Sequence, residues 1–420
     1  SALARLLAAG GQRDPTAEPV PGAKAHHLSA RWIAALRARL QPLAAGAELA
    51  RQSDVDLLGA LGLLADGEVT LAALLLVGSA ESLARFAPQH EVVLLRHTSR
   101  TRYDLRRDLR GPILEIVPDL EAFVAANNRI RTVKDERFVQ LEFPDLSDEV
   151  AREAVLNALL HRDYFLRASV QVALYPTHLE VSSPGGFVGG ITPDNILRHP
   201  PVHRNELLAR VAQTIGLVNR VGVGVDRIYE DLLRLGKGLP RYDADEAHVR
   251  LALSLTTDER FALFVRGQAQ AGRELDLDDL LALESLTRVA SLDRRSAAKA
   301  LQLAEDEAAR RLAALRERGY LVVRGRGRTA AYSLRPGLSI VLRGRGAADA
   351  EVSLDVAAVQ LLVLALLRER GRLTNADIRR LSGFDRVQVY RMIKAMEVAG
   401  EVRLVGHGRG AAILPVAGRG

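Results

Sequence analysis

Glu153-Ala-Val-Leu-Asn157-Ala-Leu-Leu-His161-Arg162-Asp163-Tyr164 is the stretch on which the fold of this chain turns, followed at a distance by Ser183-Pro-Gly-Gly186 and by Gly222-Val-Gly224. From Ser147 to Leu160 the apolar residues Val150, Ala154, Val155, Leu156, Ala158, Leu159 and Leu160 recur at three- and four-residue spacing, which predicts a largely buried helix. Ser147, with Val150 rather than Glu three residues on, supplies half a capping box, and Asp148 and Glu149 suit the positive end of the helix dipole. Glu153, Asn157 and His161 stand four residues apart and form one polar stripe on that helix. Spacing leaves two readings open. The stripe is either a solvated helix edge, or a Glu and an Asn one turn apart that position a water and a magnesium ion beside a triphosphate, since hard oxygen ligands suit that metal.

Downstream, Ser169 to Tyr175 alternates like a strand, Leu179 to Val181 resumes after a Pro-Thr-His turn, and Ser182-Ser-Pro-Gly-Gly186 closes the hairpin. Glycines there let backbone come close to a ligand. Gly222 and Gly224 precede an amphipathic segment, Ile228 to Leu235, where amides at a helix start would present donors to phosphate.

Taken together, residues 146 to 240 resemble the histidine-kinase-like (GHKL) ATPase module found at the C-terminus of RecG-related proteins and in Schlafen/AlbA-type transcriptional regulators. The resemblance rests on Arg152 to Tyr164, Glu180 to Gly186, Gly190-Ile-Thr192, Arg204-Asn205 and Gly222-Val-Gly-Val-Asp226. It extends upstream through Leu57 to Leu64, Leu71 to Gly78, Pro88-Gln-His90 and Gly111-Pro112. The resemblance implies that Glu153 orients an attacking water and Asn157 ligates Mg2+. It further implies that His161, Gly185, Gly186, Gly222 and Gly224 join Asn157 around ATP. Two departures bear on this: neither Ser182 nor Ser183 is the adenine-reading Asp, and no long glycine-rich lid lies between Gly186 and Gly222. The chain also lacks a Gly-x-x-x-x-Gly-Lys-Ser/Thr phosphate loop, so a helicase motor is not expected. Nucleotide binding is therefore expected and hydrolysis is not; the alternative is an ATP-hydrolysing switch in DNA repair or defence.

Charge separates the two ends of the chain. The net charge is +7, yet residues 271–420 hold 26 Arg and Lys against 18 Asp and Glu, whereas residues 1–270 hold 32 against 33. Such segregation favours a polyanionic partner, because neutralising phosphates releases counterions. Within the basic third one pattern occurs twice. Leu277–Ala290, Arg294–Leu301 and Glu305–Arg318 read as helices, and Tyr320–Leu334 as a hairpin with a basic turn. Val356–Arg370, Asn375–Leu381, Asp385–Ala399 and Val402–Leu414 repeat the order. Helix, helix, helix and hairpin is the order of a winged helix-turn-helix, and the repeat resembles a tandem pair of such DNA-binding domains. That fold places the third helix in the major groove and the wing against the backbone or the minor groove. The expected contacts with double-stranded DNA are Arg386, Gln388, Arg391 and Lys394 on the second unit's helix, with His407 and Arg409 on its wing. The first unit offers Arg324, Arg326 and Arg328 on its wing, while Glu305-Asp306-Glu307 opens its third helix with charge that repels phosphate.

These readings give an α+β chain in five parts: a flexible N-terminal segment (1–29), a helical plus α+β linker domain (30–145), the GHKL-like α/β sandwich (146–257), and two winged helix-turn-helix domains (258–340 and 341–420). Residues 1 to 50 are too short for a whole AlbA-like domain, which is expected to be absent or truncated. No cysteine occurs, which excludes disulfides and fits a reducing cytoplasm. Apolar runs such as Leu71 to Val77 are too short to span a bilayer. His178, His199 and His203 lack metal-ligand spacing and read as loop histidines. The expectation is a cytoplasmic, nucleoid-associated homodimer that regulates transcription and responds to a nucleotide.

Overall fold

The computed structural model of the protein describes residues 14–43, 46–134, 140–218, 224–325, 327–343, 359–360, 363–364, 366–367, 371–382, 384, 386–406 and 412–415. The chain divides into two units, residues 1–280 and 281–420.

The first unit opens with α1 (Ala30–Leu40), α2 (Asp54–Ala60), α3 (Leu71–Val77) and α4 (Ala80–Phe86), interrupted after α2 by the hairpin β1 (Leu64–Ala65) and β2 (Glu68–Val69). Hydroxyls start three of these helices: Ser53, Thr70 and Ser79 accept from the amides of Asp56, Ala73 and Ser82. Helix α3 is buried on every side, as its unbroken Leu-Ala-Ala-Leu-Leu-Leu-Val sequence requires. Then come β3 (Val92–His97), β4 (Tyr103–Leu109), α5 (Ile113–Asn127), the hairpin β5 (Ile130–Lys134) and β6 (Gln140–Pro144), and α6 (Asp148–Leu160). The remainder is β7 (Val170–Leu174), β8 (His178–Pro184), α7 (Glu206–Thr214), α8 (Gly224–Arg234), β9 (Arg241–Ala244), β10 (His248–Ser254) and α9 (Glu259–Gln270).

The main sheet has the order β4-β3-β7-β8-β10-β9. Every neighbouring pair is antiparallel except β3 and β7, which run parallel from Val92↔Val170 to Arg96↔Leu174. Strands β3 and β4 come from the expected linker domain and β7 to β10 from the expected GHKL-like module, so the sheet crosses the boundary anticipated at residue 145. Residues 30–145 and 146–257 share one core, in which Leu36, Leu74, Leu94, Ile113, Leu159, Val172 and Leu253 are all buried.

The N-terminal segment departs from expectation as well. Residues 14–29 are packed rather than loose: Pro19 bridges to Thr70 and Leu28 to Gly78. Asp14 accepts from the Leu207 amide at 2.6 Å and the buried Thr16 from the Leu208 amide, so together they cap the start of α7. A Pro- and Gly-rich composition hid this, because the partners lie almost two hundred residues away.

The second unit contains the same arrangement twice. Helix α10 (Leu277–Arg288) carries the chain into it; α11 (Arg294–Leu301) and α12 (Glu305–Glu317) follow, with β11 (Leu292–Asp293), β12 (Leu321–Arg324) and β13 (Ala331–Leu334) in the order β11-β13-β12. After α13 (Pro336–Arg343), Val359, Val363 and Leu367 are buried at helical spacing, followed by β14 (Leu373–Thr374), α14 (Asn375–Ser382), α15 (Arg386–Val398), β15 (Val402–Val405) and β16 (Ala412–Pro415). The second sheet has the matching order β14-β16-β15. The first short strand of each set leads into a reciprocal cap, Asp293 with Ser296 and Thr374 with Asp377.

One buried cation braces the first unit. Arg162 is fully buried, yet its guanidinium donates to three carbonyls, those of Gln89 at 2.8 Å, Leu166 at 3.1 Å and Ala168 at 2.5 Å, and lies 4.8 Å from the ring centre of Tyr164. Replacing it with an apolar side chain of similar length would strand those carbonyls. Arg162→Met is expected to lower the unfolding free energy by roughly 3 kcal/mol in urea titrations, and Arg162→Lys to recover only part of it because all three bonds come from Nη2 at the far end of the guanidinium, beyond the reach of the shorter lysine.

Candidate functional site

Helix α6 begins as its sequence predicts, with the Ser147 hydroxyl accepting from the Val150 amide at 3.2 Å. Its apolar face is buried and the stripe of Glu153, Asn157 and His161 remains half-buried. That stripe lines a cavity of about 200 Å3. The opposite wall is the sheet, through Val181, Ser183, Tyr242, Val249 and Leu251. The segment after β8 covers it with Phe187, Val188, Ile191, Ile196, Val202 and His203. The stripe is thus a half-buried cavity wall rather than a fully exposed helix edge.

How α6 ends decides where these groups sit. Its last carbonyls have no partners within the helix. Side chains from three directions satisfy them: the Ser183 hydroxyl donates to Ala158 O at 2.6 Å, the Tyr164 hydroxyl to Leu159 O at 3.0 Å, and the Asn205 amide to Leu160 O at 2.8 Å. Asn205, fully buried, also donates to Arg162 O. Ser183 thus spends its proton on the helix and offers the cavity no donor.

The two glycines after β8 serve the loop beyond β9. Gly185 has φ +95°, and a Cβ there would stand 2.7 Å from the Cβ of Asp163; a Cβ on Gly186 would overlap the Asp245 carbonyl. Their amides donate to Ala247 O at 2.7 Å and Glu246 O at 3.2 Å. Both line the cavity, but their N–H groups are committed. Arg204 fastens the same corner by donating to Gly186 O at 2.8 Å and pairing with Asp163 at 3.5 Å. Further along the cover, Asn195 accepts from the Thr192 amide and donates to Gly190 O, while Arg198 pairs with the buried Asp278.

Gly224 is the first residue of α8, and a Cβ on it would overlap the Glu153 carboxylate. Gly222 lies outside the described residues. Burial raises the Glu153 carboxyl above its ordinary range, against the opposing pull of Arg227 and Arg152. His161 stacks on His203 with ring centres 5.2 Å apart, and burial, aided by His203 and Arg204, pushes His161 down to about 4. Burial also lowers His203. Glu153 and Asn157 bring carbonyl and carboxylate oxygen, the donor type magnesium takes, to the cavity wall. Among the described residues no group of three or more His, Asp or Glu side chains converges as a metal site.

In the second unit Arg386, Gln388, Arg391 and Lys394 are all exposed on α15, above a buried row of Val389, Met392, Ile393 and Met396. Lys394 pairs with Glu397 at 2.7 Å. Val387 and Tyr390 are exposed on the same helix, and the sequence reading passed over both because it sought only polar base readers. Arg324 is exposed at the end of β12. Arg328 lies in the following turn, and Arg326, His407 and Arg409 fall outside the described residues. Acidic Glu305 and Asp306 at the start of α12 are both engaged by Arg294. Among the described residues no helix is long and apolar enough to cross a membrane.

Comparison with known proteins fits the first unit. Residues 167–253 match the family described as "Putative ATP-dependent DNA helicase recG C-terminal", which establishes a RecG C-terminal-like ATPase-type domain there. The match begins after α6 and so leaves Glu153 and Asn157 outside it. Residues 5–93 match a domain of unknown function, DUF8451. The crystal structure of the DIP2311 protein from Corynebacterium diphtheriae is similar with a TM-score of 0.62 and 22% identity, covering 98% of this chain and 72% of that one. At that identity the likeness is one of fold. No curated protein matches the chain.

Asn205, Arg204 and Ser183 are the residues whose roles the sequence did not disclose. All lay within the recognised motifs, but only the helix end they close explains them.

The buried histidines give a pH test. His90, buried with its Nε2 donating to Gly111 O, is held at about 4 by burial with Arg162 nearby, as His161 is. Both are neutral in the folded chain and titrate near 6.5 when unfolded, so the unfolded state binds more protons between pH 4 and 6.5 and stability falls as pH drops through that window. His161→Gln is expected to reduce the slope of unfolding free energy against pH there by up to about 1.4 kcal/mol per pH unit, measured by urea titrations from pH 4.5 to 7.

Proposed function

We propose that the protein is a DNA-binding transcriptional regulator whose first unit binds a nucleotide-type ligand and whose C-terminal part reads double-stranded DNA through paired winged-helix domains, residues 258–340 and 341–420. The observation that carries this reading is α15. It sits second in a helix pair, packed against a three-stranded sheet, and it turns Arg386, Gln388, Arg391 and Lys394 outward from a well-filled core. Arg and Gln side chains match the acceptor and donor pairs of guanine and adenine edges, and exposed Val387 suits a thymine methyl. The first repeat is the weaker reader, because its third helix opens with acidic residues held by Arg294, leaving Arg324 at the wing to meet phosphate. The surplus of basic residues beyond position 270 supplies the non-specific attraction.

A second reading is favoured by Glu153 and Asn157 facing one cavity: an ATP-hydrolysing switch in DNA repair or defence, with Asn157 on Mg2+ and Glu153 orienting water. Steady-state phosphate release decides between them. Turnover that Glu153→Ala abolishes would establish the switch, whereas the regulator shows none.

Fluorescence anisotropy with labelled genomic fragments over a salt series tests the regulator directly. Arg391→Ala is expected to weaken the preferred fragment by about 10- to 100-fold and random DNA by far less, while Arg324→Ala weakens both alike and reduces the slope of log affinity against log salt by about 1. Equal, weak binding to every fragment would rule out sequence-specific regulation.

A further inference from the structure

The cavity of the first unit is small and mostly apolar, and its described lining residues include no Lys or Arg. Its volume of about 200 Å3 lies below the roughly 300–1,000 Å3 of drug-sized sites, so it suits one ring system with a modest substituent rather than a ring trailing a chain of phosphates. Among the described residues that line it, Glu153 is the one acidic side chain. The carboxylate packs on the Cα of Gly224 at the start of α8. A helix start attracts anions through its free amides and dipole, and here an internal carboxylate already faces it. A phosphate brought to the same place meets that carboxylate, on which Arg227 and Arg152 also act.

The neutral polar groups point the same way. Asn157 and His161, one turn apart on α6, line the cavity, and each can both donate and accept. Such groups match sugar hydroxyls and ring nitrogens, whereas phosphate oxygens at neutral pH only accept. Phe187 and Ile196 close over the space with apolar surface.

From these features, and resting on the nucleotide-type reading above, we infer that the cavity takes an uncharged nucleoside-like ligand in preference to a nucleoside triphosphate, and that Glu153 sets the preference by occupying the start of α8. The ligand ring fills the apolar space, its hydroxyls bind Asn157 and His161, and the carboxylate repels added phosphate.

Calorimetric titration of the full chain with adenosine, AMP and ATP, with and without Mg2+, tests this. Adenosine is expected to bind at least about tenfold tighter than ATP, with AMP between. Glu153→Gln is expected to tighten ATP about tenfold while changing adenosine less than about twofold, the size expected for one close like charge removed. Gly224→Ala gives an independent route, since its methyl group displaces the flexible Glu153 side chain without removing it, and the same gain for ATP is expected; thermal melts confirm that both variants fold. ATP binding tenfold tighter than adenosine in the unaltered chain, or an unchanged ratio in both variants, overturns the inference while leaving a nucleotide site standing. If none of the three ligands binds, the nucleotide-type reading falls and the inference falls with it.

Discussion

The unpaired carbonyls at the end of α6 are the constraint around which the first unit is arranged. A helix that stops inside a protein must find donors for its last turn, because a buried carbonyl without one costs about as much as a lost hydrogen bond. Here no glycine turns the chain away. Ser183 from β8, Tyr164 from the following loop and Asn205 from the start of α7 each donate to one carbonyl. The three donors fix the strand, the loop and the next helix against one helix end, and the cavity is the space left beside them. Arg162 extends the arrangement outward, tying Gln89 ahead of β3 to Leu166 and Ala168 ahead of β7.

That brace explains why the first unit cannot be cut where its sequence changes character. Strands β3 and β7 are parallel neighbours drawn from segments some eighty residues apart. A parallel pair needs a crossover, and α5, the β5–β6 hairpin and α6 supply it. Helix α6 therefore belongs both to the crossover and to the site. Its inner face completes the core begun by α1 and α3, and its polar stripe faces the cavity.

What the sequence disclosed and what it hid follow from the range of the interactions. The start of α6, the stripe on it, the hairpin ending at Gly186, the first helix-helix-helix-hairpin repeat and the described residues of the second were legible, since caps and periodicity act within a few residues. Thr374 and Asp377 announce α14 from three positions apart. The sharing of one sheet by residues 92–109 and 170–254 was not legible, because an open strand edge does not name its partner. Nor was the packing of residues 14–29, whose polar contacts reach Leu207 and Leu208. The glycines at 185 and 186 were read as room for a ligand, but the close approach they permit is to Asp163 at Gly185 and to the backbone at Asp245 and Glu246 at Gly186. A glycine signals that something comes near, and only the fold says what.

The titrating groups of the cavity share one behaviour. Glu153 and Tyr242 are raised, and His161 and His203 are lowered, with burial the first cause in each case. Every shift favours the uncharged form, although the four groups differ in the sign of the charge they would carry. A local partner would have shifted acids and bases according to its own sign; a common drift to neutrality is the mark of a poorly solvated interior. Such an interior strengthens each hydrogen bond made within it and penalises any charge brought in without a partner. Arg227 and Arg152 pull against the drift at Glu153, and Glu206 does so at His203. A medium of that kind favours shape and neutral hydrogen bonding over charge.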